Sequence, residues 1–307
     1  MRKLFFLIFL CVFGWYVNAQ DLELTNEIIR FDKIETFNLQ GFTIANNYIF
    51  AVLVNENDTE SIIKVFDIST YEEIESFRGD SLGHANDVTY NKNANKIYVL
   101  NSGDKNIHIF DSNTFKYLET IQISVPLRSI TYIEDYNSFA GRIVTTGYFL
   151  NDTLEKKSDW PFIVGLNVSS DVGRQGWAYY NNYIYYATWS WIRLGGTGEN
   201  KIYIYDLKGN KIDELLTKND VGELEDIAFT NNKMLLGFNG YNNYVAFYLE
   251  DIPKINEEIK SASEKELQIS EEDTDNSLNL SYIVALILIF ILGFIIKLLF
   301  SKKKKRL

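Results

Sequence analysis

Five polar side chains interrupt the starts of otherwise apolar strands: Gln40, Asn86, Arg128, Gln175 and Glu225. His84, Asp87, Glu223 and Asp226 stand close to them in sequence. Amides donate and accept, carboxylates only accept, and guanidinium only donates, so together they could recognise a polar ligand or hold a cation. A carboxyl whose pKa is raised by burial or by an acidic neighbour could also serve as a general acid or base, with Glu223, Glu225 and Asp226 as the candidates. The same groups could equally hydrogen-bond one another and water inside a polar channel.

Other chemistries are excluded by residue type. The histidines are His84 and His108, too few for a His-rich metal site, and Cys11 is the only cysteine. No zinc or iron site is evident, and calcium stays open as a cofactor. A serine triad would have to use His84 and has no nucleophile elbow. Gly195-Gly196-Thr197-Gly198 is followed by no helix, so it reads as a loop and not as a phosphate cradle. A second binding feature is aromatic. Trp177, Tyr179, Tyr185, Trp189 and Trp191 cluster in one stretch, and Trp189 and Trp191, beside Arg193 and the glycines, are expected to be exposed. Exposed aromatic loops stack on sugars or anchor peptides.

The positioning elements come from an internal repeat. Gln40-Gly41-Phe42-Thr43-Ile44, Asn86-Asp87-Val88-Thr89-Tyr90, Arg128-Ser129-Ile130-Thr131-Tyr132, Gln175-Gly176-Trp177-Ala178-Tyr179 and Glu225-Asp226-Ile227-Ala228-Phe229 are five versions of one strand. Most turn on Asn-rich dipeptides into a second strand. Third strands end in Asp, as at Ile63–Asp67, Ile107–Asp111 and Ile202–Asp206, and fourth strands follow at Glu73–Phe77 and Tyr117–Ile121. About four strands per 40–50 residues is the spacing of a propeller blade. A β-sandwich is the alternative, but it needs no such period. The expected fold is therefore an all-β, five-bladed β-propeller over residues 20–250. The fifth unit lacks a fourth strand, and Ile29 to Leu39 is expected to supply it and close the ring. In this arrangement the five polar positions ring the channel mouth. Loops between second and third strands project on the same face, with long ones at Gly147 to Asp159 and Trp189 to Asn200.

Lys96-Ile97-Tyr98-Val99-Leu100-Asn101-Ser102-Gly103 followed by Ile107–Asp111 resembles the YVTN-type repeat of bacterial propeller proteins. That resemblance implies the fold and says little of function. Gln175-Gly176 and Glu223-Leu224-Glu225 are similar to channel-lining segments of the five-bladed glutaminyl cyclases of plants and bacteria, although that family's other channel residues have no evident counterparts here.

The flanks read as addresses. Arg2 and Lys3, the apolar run Leu4 to Phe13 and the small residues around Val17-Asn18-Ala19 predict a signal peptide, residues 1–19, cut after Ala19. Residues 251–281 form an acidic stalk without aromatics. Residues 282–300, Tyr282 to Phe300, are apolar except for Lys297 and reach about 28 Å as a helix, close to a bilayer core. The basic residues of the tail, 301–307, place it in the cytoplasm by the positive-inside bias. The expectation is a single-pass protein of the cell membrane with its propeller outside, and the lack of disulfides in an ectodomain leans toward a bacterial source. The formal charge is −11, and the eight basic residues of the flanks leave −19 for residues 20–281. So acidic a surface repels nucleic acid. The expected role is a surface recognition module for a glycan, peptide or protein ligand. A channel-centred hydrolase or cyclase and an architectural surface protein are the alternatives.

Overall fold

The computed structural model describes residues 19–156 (save Ser81, Gly103 and Thr145), 172–190, 198–218 and 221–255. The expected signal peptide up to residue 18, the stalk beyond residue 255, the membrane span and the tail lie outside them, as do Trp191 and Arg193. Among the described residues no helix is long and apolar enough to cross a membrane.

Two short strands, β1 (Gln20–Leu22) and β2 (Glu27–Asp32), precede the repeat. Blade one is β3 (Phe37–Ala45), β4 (Tyr48–Asn55), β5 (Glu60–Asp67) and β6 (Glu73–Asp80). Blade two is β7 (Asp87–Asn91), β8 (Lys96–Leu100), β9 (Asn106–Asp111) and β10 (Tyr117–Gln122). Blade three shows β11 (Ser129–Ile133), β12 (Ser138–Ile143) and β13 (Thr146–Leu150). Blade four is β14 (Val172–Tyr180), β15 (Tyr183–Ser190), β16 (Asn200–Asp206) and β17 (Lys211–Thr217). Blade five is β18 (Gly222–Thr230), β19 (Lys233–Gly240) and β20 (Tyr244–Asp251). These consecutive strands run antiparallel within each blade.

Local chemistry sets the turns. The hairpins after the inner strands hold Asn46, Asn95, Asn137, Asn181, Asn182, Asn231 and Asn232 at positive φ, which Asn tolerates better than other residues bearing a Cβ. The aspartates closing third strands stop them by bonding the chain ahead. Asp67 Oδ1 accepts from the N–H groups of Ser69 and Thr70, Asp111 Oδ1 from Asn113 and Thr114, and Asp206 Oδ1 from Lys208 and Asn210, at 2.7–3.1 Å. The Ser69 hydroxyl, followed by those N–H groups, stabilises the charged form of Asp67 and lowers its pKa, and the Thr114 N–H and hydroxyl do the same for Asp111.

The ring closes through β2, which pairs antiparallel with β20 as blade five's fourth strand. The closing segment is shorter than Ile29 to Leu39: Phe37 to Leu39 already belong to β3 of blade one, because Phe37 and Leu39 are needed in the core between blades five and one. A strand not foreseen also appears. β1 lies parallel to β17 and adds a fifth strand to blade four. The long connection of blade three also sits elsewhere than expected. Gly147 to Leu150 form its third strand, and the extension follows that strand.

Apolar clusters fill each junction between neighbouring blades. Phe42 and Phe247 meet edge-to-face at 5.1 Å between blades five and one. Phe50 and Phe110 pack between one and two, Leu127 and Phe139 between two and three, Trp177 and Tyr186 between three and four, and Leu224 and Tyr185 between four and five. Trp177, Tyr179 and Tyr185 therefore serve packing.

Candidate functional site

Each inner strand presents its free edge to the central channel, so its N–H groups must find partners other than a strand. Side chains from other blades supply them. Asp87 Oδ2 accepts from Ile130 N at 2.8 Å and Trp177 N at 3.3 Å, and Asp226 Oδ2 accepts from Phe42 N at 3.0 Å. Thr89 Oγ1 accepts from Tyr132 N, and Thr131 Oγ1 from Tyr179 N, at 2.8 and 3.0 Å. Asn239 grips Leu39 through both N–H and C=O at 2.9 Å, and Asn200 grips Leu224 N and Gly222 O at 2.8 Å. Asp87 and Asp226 were expected close by the mouth. They lie below it, fully buried, as staples between inner strands.

The mouth itself is shaped by bulges. Register slips at Gln40 in β3, at Gln175 and Gly176 in β14, and at Glu225 in β18. A bulge turns one extra side chain away from the sheet's alternation, here at three of the five aligned positions. Asn86 and Arg128 reach equivalent places by standing immediately before β7 and β11. The result is a cavity of about 360 Å³ to which Gln40, His84, Asn86, Gln175, Glu223 and Glu225 contribute. Arg128 lies in an adjoining cavity of about 370 Å³ that shares His84, Asn86 and Gln175 with it.

Several lining groups were not legible in the repeat. Lys33 comes from the segment between β2 and β3 and Asn38 from the start of β3, joined by a 2.8 Å bond from Lys33 Nζ to Asn38 Oδ1. Asn239, Gly240 and Tyr241 come from the end of β19. Position after a second strand, in a loop that projects on this face, was the one signal that could have found Tyr241. Trp189 lines the cavity, yet it is 6% exposed and tilts against Tyr241 at 5.9 Å, so the exposed ring is Tyr241 and not Trp189. Trp189 is next to last in β15 and pairs with Asn200 of β16.

The electrostatics are those of an acidic well. Burial raises the pKa of Glu225 well above the usual range, and the nearby charge of Glu223 pushes the same way, against a hydrogen bond from Asn239 Nδ2 at 2.5 Å. Burial likewise raises Asp226 and Asp87, and the charge of Asp87 adds to the effect on Asp226. Lys33 is lowered by burial, though Glu225 and Glu223 pull it up. Gln175 Nε2 donates to Glu223 Oε1 at 2.7 Å and fixes that carboxylate at the rim. Beside this layer Arg142 is fully buried. Its Nη2 donates to Ser129 Oγ at 2.6 Å, its Nη1 to Val144 O at 2.9 Å, and its guanidinium lies over Tyr186. Its field opposes the proton on Asp87, while Asp87 Oδ1 has no hydrogen-bond partner among the described residues. Among the described residues no group of three or more His, Cys, Asp or Glu is arranged to hold a metal ion. His108 is outside the site. It is half-buried in β9, with Nδ1 2.8 Å from Thr120 Oγ1.

No protein-family model matches the chain, and no curated protein matches it in sequence. Solved structures do match. A glutaminyl cyclase from Myxococcus xanthus aligns with a TM-score of 0.52 at 10% identity, over 77% of this chain and 100% of that one. The chain is a five-bladed β-propeller. Kuenenia stuttgartiensis hydrazine synthase aligns at a TM-score of 0.40 and 12% identity, over 67% of this chain and 56% of that one. A nidogen/laminin complex gives 0.42 and 10%, over 69% and 76%. At these identities the similarity concerns the fold alone.

Proposed function

We propose that this propeller is a recognition module, exported and held at the cell surface by the segment Tyr282 to Phe300, which binds a polar glycan or peptide end at the channel mouth. The supporting observation is the convergence of side chains from blades one, two, four and five on one cavity of about 360 Å³, with the Trp189–Tyr241 pair as its aromatic wall. Gln40, Asn86, Gln175 and Asn239 offer donors and acceptors in any combination, which suits hydroxyls and peptide groups. Glu223 and Glu225 disfavour an anionic ligand, and a ring on an exposed aromatic adds stacking. The YVTN-type repeat of blade two fits this reading without adding to it.

The test is an array of glycans and peptides probed with the full-length protein, with and without calcium. Tyr241→Ala and Gln40→Ala should each weaken a hit several-fold or more. Binding indifferent to both would remove the site, and absence of binding to every class would favour an architectural role. Orientation is tested on intact cells, where added protease should release an acidic fragment and leave the tail uncut. A second reading is catalysis at the same place, favoured by Glu225: a carboxyl that keeps its proton to higher pH can act as a general acid. Glu225→Gln separates the two. It should abolish turnover by an enzyme and leave recognition largely intact.

A further inference from the structure

Gln20 is the first residue of β1 and, with the cut expected after Ala19, the first residue of the mature chain. The strand it opens is tied down. Gln20, Asp21 and Leu22 pair in parallel with Leu215, Leu216 and Thr217 of β17. Leu22 and Leu24 are buried in the core between blades four and five, and Lys218 pairs with Asp21 at 2.9 Å. The Gln20 carboxamide is held as well. Its Nε2 donates to Asp213 Oδ2 at 2.5 Å and to Lys254 O at 3.3 Å, and Asp213 is 1% exposed.

We infer that Gln20, once freed by signal cleavage, cyclises to pyroglutamate, with the Asp213 carboxylate, which accepts from Nε2, as the proton relay beside the leaving nitrogen. The unprotonated α-amine attacks Cδ of its own side chain. The N–Cδ bond forms, closing a five-membered lactam, and the Cδ–Nε2 bond breaks. One proton of the attacking amine ends on Nε2, which leaves as ammonia, so atoms balance without oxidant, water or co-reactant. The Asp213 carboxyl, already hydrogen-bonded to Nε2, is placed to pass that proton on. The half-buried setting favours the product. A free α-ammonium at this strand end would lose hydration, whereas the lactam is neutral. The mature chain would then start with a blocked, uncharged terminus packed on blade four.

This inference rests on the export reading through the cut after Ala19 and is independent of the ligand site. Full-length protein is isolated from the membranes of producing cells and its N-terminal peptide is weighed. A peptide starting at Gln20 and lighter by one ammonia is the expected result. A peptide starting at Gln20 with its free amine overturns the inference and spares the export reading, an uncut chain overturns both, and a cut at another bond overturns the inference while leaving export standing. For Asp213, the leader is replaced by one that a protease removes on demand, and loss of ammonia is timed by mass. Asp213→Asn, and the wild-type chain in denaturant, should each cyclise about a hundredfold more slowly or worse, the low end of what a positioned proton-transfer group supplies. Equal rates in native buffer and denaturant would remove Asp213 from the reaction, whether or not the variant folds.

Discussion

Gly176→Ala tests how the ring is closed. In β14 the Cα of Gly176 lies against the carboxyl of Asp226, so an added Cβ would overlap Asp226 Oδ1 and Cγ and stand 3.2 Å from its Cβ. Asp226 cannot withdraw freely, because Oδ2 accepts from Phe42 N of blade one and Oδ1 from Ile227 N. Overpacking costs about 1–3 kcal/mol, and a buried N–H left without its acceptor costs about 1–3 more. The expected loss is therefore about 2–6 kcal/mol, a large part of the stability of an ordinary domain. At roughly 2–4 °C per kcal/mol for a domain of this size, the melting temperature should fall by about 4–24 °C. The assay is urea unfolding of Gly176→Ala, Asp226→Ala and the double variant. Removing the carboxyl makes room for the methyl, so the double variant should be at least about 1 kcal/mol more stable than the sum of the singles implies. A single variant that unfolds with the wild type, or strict additivity, would refute the account of the glycine as space for the acid.

Asn200→Ala strips partners from Leu224 N and Gly222 O at once, and should cost about 2–4 kcal/mol in urea unfolding, against little effect for Asn113→Ala on the surface. Deleting residues 20–32 removes β1 and β2 and bares the edges of β17 and β20, so the shortened chain should be recovered mainly as aggregate in size-exclusion chromatography. Stability should also fall with rising pH. Glu225, Asp226 and Asp87 keep their protons longer in the folded chain than in the unfolded one, whose carboxyls titrate near 4.5 and 3.8. Their contribution is complete below those values and is lost as pH climbs through the raised ones. Urea midpoints should drop as pH rises above the unfolded-chain values near 3.8 and 4.5, and Glu225→Gln should flatten that slope.

The period of the repeat was enough to determine five blades, their inner strands and the side of the ring on which Gln40, Asn86, Arg128, Gln175 and Glu225 gather. It could do so because a blade cannot bury both faces alone, so polar residues breaking an apolar strand must face the channel. Asn-rich hairpins and Asp-terminated third strands were legible for a similar reason: each is a contact between residues a few positions apart. What the sequence left undecided depends on contacts between distant blades. Whether an acid at the channel lines the mouth or staples the strands below it is settled by one step of register: Glu225 projects from a bulge, and Asp226 beside it turns to Phe42 N. Trp189 was read as exposed because aromatic loops often are, and it lies instead in β15, paired with β16 and against the ring of Tyr241. The parallel addition of β1 to β17 had no local mark at all. It joins residues almost two hundred positions apart, and only the closed ring, by placing blade four's outer edge beside the N-terminal segment, decides that Gln20 meets Asp213.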